Sequence, residues 1–266
     1  AVVCAGTSHI HFDECGAIER FAGCRVLALD VAHGKIESAS LAQVPDGHGM
    51  PHQSQPRVLS ITQASELGTV YTPDEVRLLA DAAHDRGWLL HMDGARLANA
   101  AAALDLPLRE VTRDAGVDLL SFGGTKCGLL AGEVVLVFAA GLAPHMPYTR
   151  KQGLQLASKM RFLSAQFLAL LDDELWRHMA QHANAMARRL HDRVRGLPGL
   201  QITHPQESNA VFARLPANAL AQLRQEWRMA LWDEAAGEVR WMASWDTTPE
   251  DVDDFAESIR VATKDA

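Results

Sequence analysis

Short apolar runs alternate with helix-period segments through the first half of the chain. Runs at residues 2–5, 26–31, 58–62, 89–92, 119–122 and 134–138 have strand length and are separated by helical patterns. That alternation predicts βαβ units and a mainly parallel sheet. One helix is marked at its start. Thr72 can cap it, Pro73 suits the first turn and Glu75 completes a capping box, so it is expected to run to about Arg86 and stop at Gly87. An alanine-rich stretch at 96–104 predicts a second helix directly after the fourth strand. From about residue 158 to 195 the pattern becomes strongly helical, with Met160, Leu163, Phe167, Leu170, Leu171, Leu175 and Met179 at helix spacing. Two more strands follow, at 210–215 and 239–244, and then a helix opened by Thr248, Pro249, Glu250 and Asp251. The expected fold class is α/β. Residues 1–150 would form a large domain, and 151–266 a connecting helix with a small C-terminal α+β domain.

Composition narrows the function. The net charge of -8 and the lack of a basic block argue against a nucleic-acid surface, which needs clustered Lys and Arg. No apolar run reaches the ~20 residues of a membrane helix. Cys4, Cys15, Cys24 and Cys127 show no C-x-x-C spacing, so reduced thiols in a cytoplasmic protein are expected. The chain opens on Ala1-Val2-Val3-Cys4, which reads as a strand already buried, with no initiator Met. Further residues are expected upstream.

Two strand ends carry the candidate chemistry. The apolar run 89–92 stops at Asp93, and the run 119–122 stops at a glycine pair followed by Thr125 and Lys126. In a parallel sheet ligands bind at the carboxyl ends of strands. A carboxylate on one strand end and a lysine beyond the next suit pyridoxal phosphate: the lysine would form a Schiff base, and the acid would keep the pyridine nitrogen protonated. Each residue also has a plainer reading. Lys126 could be a loop lysine reaching water, Asp93 a cap for the following helix, Arg96 a first-turn residue facing solvent and Arg240 a solvent-facing strand arginine. The glycines around Lys126 favour a placed amine, and Trp241, Ser244 and Trp245 suggest that Arg240 lies in a partly enclosed site. His9 and His11 form an H-x-H pair, read as an extended segment. No third ligand stands nearby, so no metal site is expected; His9 is better suited to stacking on a flat ring, and His11 to a structural role.

The chain resembles the L-threonine aldolase/β-eliminating lyase family of pyridoxal-phosphate enzymes, in its low-specificity bacterial branch. The resemblance runs through residues 9–17 (HIHFDECGA), 66–71 (ELGTVY), 91–100 (HMDGARLANA), 121–128 (SFGGTKCG), 158–166 (SKMRFLSAQ) and 239–248 (VRWMASWDTT). It implies the aspartate-aminotransferase type of fold (fold type I) and retro-aldol cleavage of threonine, allo-threonine and related β-hydroxy-α-amino acids to glycine and an aldehyde. Lys126 would carry the cofactor, Asp93 would partner the pyridine nitrogen, His9 would stack on the ring and Thr125 would adjoin the phosphate. Arg96 and Arg240 would grip the substrate carboxylate. Glu66 stands where some relatives have a histidine considered a contact for the substrate hydroxyl. The family's N-terminal Gly-Thr turn, which cradles the phosphate, has no counterpart in these residues. A homodimer or homotetramer is implied as well. Another reaction on the same fold, β-elimination or transamination, would use the same Lys126 and Asp93, and a cofactor-free scaffold is the non-enzymatic alternative.

Overall fold

A computed structural model of the chain describes residues 1–45 and 47–264. Six strands form the first sheet: β1 (Val2–Ala5), β2 (Val26–Leu29), β3 (Val58–Thr62), β4 (Leu89–Gly94), β5 (Leu119–Gly123) and β6 (Glu133–Val137), in the order β2-β1-β3-β4-β5-β6. All pairings are parallel except β5 with β6. That exception has a simple cause. Only residues 124–132 join the two strands, and a parallel return needs a crossover of about a dozen residues or more. The expected mainly parallel sheet is therefore found, closed at one edge by a reversed strand.

Strand alternation decides which side of this sheet is core. Leu59 and Ile61 of β3, Leu90 and Met92 of β4, and Leu120 and Phe122 of β5 are all buried in the main hydrophobic cluster. The residues between them are polar and point to the opposite face. Helix α3 (Pro73–His84) supplies Val76, Leu79, Ala80 and Ala83 to the cluster, and α4 (Leu97–Leu104) supplies Leu97, Ala98, Ala101 and Ala102. The capping box of α3 forms as its sequence dictates: Glu75 N–H donates to Thr72 Oγ1, and Thr72 N–H donates to the Glu75 carboxylate. Helix α1 (His9–Phe12) and α2 (Ala17–Ala22) lie between β1 and β2. The H-x-H pair thus sits on a helical turn, not on extended chain. At Ser8 the backbone enters that turn as an N-cap, and Asp13 N–H closes it on His9 C=O.

The helical stretch expected from 158 to 195 is two helices, α6 (Arg161–Leu171) and α7 (Leu175–Val194), after a short α5 (Met146–Gln152). Asp172, Asp173 and Glu174 break it, with Asp173 and Glu174 in left-handed backbone at φ 46° and 53°. Three adjacent carboxylates at the carboxyl end of α6 oppose its dipole, and aspartate tolerates the left-handed region better than most residues. The second sheet contains β7 (Gln201–Ile202), β8 (Ala210–Arg214), β9 (Ala230–Asp233) and β10 (Glu238–Met242), in the antiparallel order β7-β8-β10-β9. Helices α8 (Ala217–Glu226) and α9 (Pro249–Lys264) pack against it. Helix α9 starts where expected, with Thr248 and Asp251 bonded reciprocally. Trp176 and Ala180 of α7 join the first core, while Ala187, Leu190 and Val194 join the second. Among the described residues no helix is long and apolar enough to cross a membrane.

Met92, fully buried beside Asp93, tests how far the core holds this strand in place. Met92→Ala is expected to lower unfolding stability by about 2–5 kcal/mol, read as a shifted urea midpoint at unchanged slope.

Candidate active site

The face of the first sheet opposite the main core carries a ladder of polar side chains. Register pairs Ser60 with His91, Thr62 with Asp93 and Asp93 with Ser121. Cross-strand neighbours on one face are close enough to bond. Ser60 Oγ lies 2.9 Å from His91 Nδ1, and His91 Nε2 lies 3.1 Å from Ser121 Oγ. Burial lowers the His91 pKa, against the opposing pull of Asp93 and Glu14. A neutral imidazole between two hydroxyls donates to one and accepts from the other.

Asp93 is next along the same strand face. Its Oδ1 accepts the Ala95 N–H at 2.9 Å, so the capping reading accounts for one carboxylate oxygen. Arg96 does not face solvent. It is 9% exposed, and its Nε donates to Ala64 C=O at 3.2 Å. Lys126 stands on a tight turn, Thr125–Cys127, that follows β5. Gly124 lets this turn close, because a Cβ there would come within 2.4 Å of Leu129 Cδ1 and 2.9 Å of Gly132 C=O. The Lys126 amine is pushed below its ordinary pKa, first by burial and then by Arg96 and Arg240, while Asp93 and Glu133 oppose. These electrostatic couplings bring Lys126, Asp93, Arg96 and Arg240 into one neighbourhood. Thr125 is exposed, and its Oγ1 accepts the Gly132 N–H at 3.4 Å.

Glu66 is buried in the loop after β3. Its Oε1 accepts from His9 N–H and from Thr62 Oγ1–H, both at 2.9 Å, whereas Oε2 is buried without a hydrogen-bond partner among the described residues. Burial raises its pKa, against the His9 amide and Arg96. The first of these bonds satisfies an amide at the start of α1 that Ser8 leaves uncapped. The His9 ring is held separately, with Nδ1 2.9 Å from Glu14 Oε1. His11 is exposed.

Arg240 comes from β10 of the second sheet. Its guanidinium lies 4.8 Å from the centre of the Trp232 ring, and its Nε is buried without a partner among the described residues. Burial and Arg96 lower its pKa, while Asp13 and Glu66 oppose. Trp241, expected to help enclose this site, instead packs into the second core beside Phe255. Adjacent residues of a strand point to opposite faces, so Trp241 cannot share the side of Arg240. The enclosing aromatic is Trp232. Sequence reading missed it because β9 has no clear alternation. It also gave no role to Ser60, His91 and Ser121, although their phase along three strands was available.

All seven expected residues are thus accounted for. Lys126, Asp93, Arg96, Arg240, Glu66 and His9 converge through contacts or electrostatic coupling, and Thr125 adjoins Lys126 on the turn. Residues 1–218 match the model of the family described as beta-eliminating lyase. The chain belongs to the beta-eliminating lyase family. It is 42% identical over 263 residues to a low specificity L-threonine aldolase of Pseudomonas aeruginosa, covering 98% of this chain and 76% of that protein. A low specificity L-threonine aldolase of another Pseudomonas is 43% identical over 262 residues, covering 98% and 75%. Among solved structures, the threonine aldolase of Leishmania major superposes with a TM-score of 0.91 at 28% identity, covering 98% of this chain and 77% of that one. The α/β fold expected from the family resemblance is the fold found.

The coupling around Lys126 has a direct test in the cofactor-free protein. Arg96→Gln or Arg240→Gln should raise the amine pKa, and Asp93→Asn should lower it further. The pH dependence of the rate of amine labelling at Lys126 reads both directions; a shift of opposite sign in any variant would contradict the arrangement.

Proposed function

We propose that this chain cleaves threonine, allo-threonine and related β-hydroxy-α-amino acids to glycine and an aldehyde, with pyridoxal phosphate as its cofactor. What carries this reading is the placement of Lys126 on the turn that follows β5, electrostatically coupled to the strand-end carboxylate of Asp93 and to Arg96 and Arg240. The donor set fits the cofactor and its substrate. Lys126 can present a neutral amine, Asp93 has an oxygen beyond its bond to Ala95, and the unpartnered Arg240 Nε and Glu66 Oε2 are buried groups that call for a ligand.

Lys126 would carry the covalent link to the cofactor, and Asp93 would hold the proton on the pyridine nitrogen. His9 would stack on the ring face. The Thr125 hydroxyl, already an acceptor from Gly132, keeps its own proton to donate to the phosphate. When bound, the cofactor supplies an electron sink for the pair left on Cα as the Cα–Cβ bond breaks. The protein does the rest by orientation. Arg96 and Arg240 grip the substrate carboxylate, and a planar guanidinium suits a two-point contact. Gripping the carboxylate from two sides fixes rotation about the bond to nitrogen and so selects which bond at Cα breaks. Glu66 Oε2 would contact the β-hydroxyl, whose proton passes to that carboxylate or to water as the aldehyde forms, and a proton returned to Cα gives glycine. The low-specificity name of the relatives accords with a crevice that recognises the carboxylate and hydroxyl, groups that every such substrate carries. Assembly into a homodimer or homotetramer goes with this reading, and large apolar side chains such as Phe12, Phe21, Leu130, Phe162 and Leu168 are exposed in the single chain.

Lys126→Ala is expected to abolish the visible absorbance of the cofactor-loaded protein. Asp93→Asn should keep some cofactor yet lose turnover by roughly 100-fold or more, through loss of a preorganised charge at the ring nitrogen. Product analysis separates the reactions open to this site. Glycine and acetaldehyde from threonine support the proposal, whereas pyruvate and ammonia from serine, with no threonine cleavage, point to β-elimination.

A further inference from the structure

Glu14 is a charged group of this region that no step above uses. Its Oε1 lies 2.9 Å from His9 Nδ1, and the other ring nitrogen, Nε2, has no hydrogen bond among the described residues. A carboxylate can only accept, so this contact places the ring proton on Nδ1 and leaves the lone pair of a neutral ring on Nε2.

The turn of α1 closes at Asp13, whose N–H bonds back to His9 C=O, so Glu14 follows one residue after that turn. His9 is held by two carboxylates acting on different parts of it. Glu66 takes the backbone N–H, and Glu14 takes the ring. Glu14 also acts electrostatically on His91, two residues before Asp93 on β4. Stability alone does not explain the contact. His9 and Glu14 side chains are 46% and 33% exposed, and ion pairs at such exposure contribute little to folding.

We propose that Glu14 is a positioning residue for His9: it keeps the proton on Nδ1 and fixes the imidazole against rotation about its Cβ–Cγ bond, so that the ring stacks on the cofactor with an open lone pair at Nε2. This rests on the reading of His9 as a ring-stacking residue. A carboxylate behind an imidazole fixes tautomer and orientation in the same way in other histidine sites.

The test is 15N NMR of the His9 ring in the cofactor-loaded protein, read beside steady-state kinetics. The wild-type protein should show the Nδ1–H tautomer. Glu14→Gln, whose amide oxygen still accepts from Nδ1–H, should largely preserve it. Glu14→Ala should shift the population toward Nε2–H, lower kcat about 10- to 100-fold, change KM less than about threefold, and leave the unfolding midpoint within about 2 °C. An unchanged tautomer in Glu14→Ala would overturn the proposal. So would a changed tautomer with unchanged kcat, and His9→Ala, which removes the stacking ring, then tells which premise failed. If His9→Ala loses activity, the reading of His9 stands and only the role of Glu14 falls; if it is fully active, the reading of His9 itself is wrong.

Discussion

The register of three parallel strands is the constraint on which the rest of the crevice depends. Ser60 opposite His91, and Asp93 opposite Ser121, put the polar side chains of β3, β4 and β5 on one face and Leu59, Ile61, Leu90, Met92, Leu120 and Phe122 on the other. Side chains alternate with period two, so a one-residue slip of β4 would drive His91 and Asp93 into the apolar cluster and expose Leu90 and Met92. Burying an unpaired carboxylate there would cost several kcal/mol at least. The hydrophobic core therefore does more than stabilise the sheet. It selects the one pairing that collects Asp93, its neutral histidine neighbour and the turn bearing Lys126 at a single edge.

What that pairing collects is electrostatically uncomfortable. Lys126 feels the positive charge of Arg96 and Arg240, Arg240 feels that of Arg96, and neither arginine has a salt bridge within 4 Å among the described residues. A fold tuned only for stability would pair these groups or replace them by apolar ones. On the proposed function the partner would be an incoming anion. The same crowding lowers the lysine pKa and so favours its neutral form. One arrangement would then prepare both the amine and a carboxylate clamp, with Asp93 opposing the shift on Lys126 and Glu66 that on Arg240.

Much of this was legible in the residues. The strand-end positions of Asp93 and Lys126, the capping box at Thr72 and Glu75 and the cap at Thr248 all follow from local pattern, because each is decided by neighbours in sequence. The break at residues 172–174 was missed because apolar spacing continued across it; the deciding factor was three adjacent carboxylates. Trp232 and Glu14 were missed for a different reason. Trp232 reaches Arg240 through the pairing of β9 with β10, and Glu14 reaches His9 across the single turn of α1. Contacts made by register or across one short turn leave no periodic trace. Glu66 was singled out on the sequence only through the family resemblance; its buried, unpartnered oxygen is a feature of the fold.

Helix α7 runs from one hydrophobic core into the other. At 20 residues it is a rod of about 30 Å, and its first turns pack behind the lysine-bearing turn, where a Cβ at Gly128 would meet Met179 Sδ at 3.1 Å. Lys126 and Arg96 ride with the sheet at one end of this rod, and Arg240 rides with the sheet at the other. A tilt of about 2° displaces the far end by roughly 1 Å, so the helix acts as a lever that sets the jaw width of the crevice. Substitutions along its buried stripe, remote from every polar group of the crevice, would then retune the size of acceptable side chain without altering any chemistry.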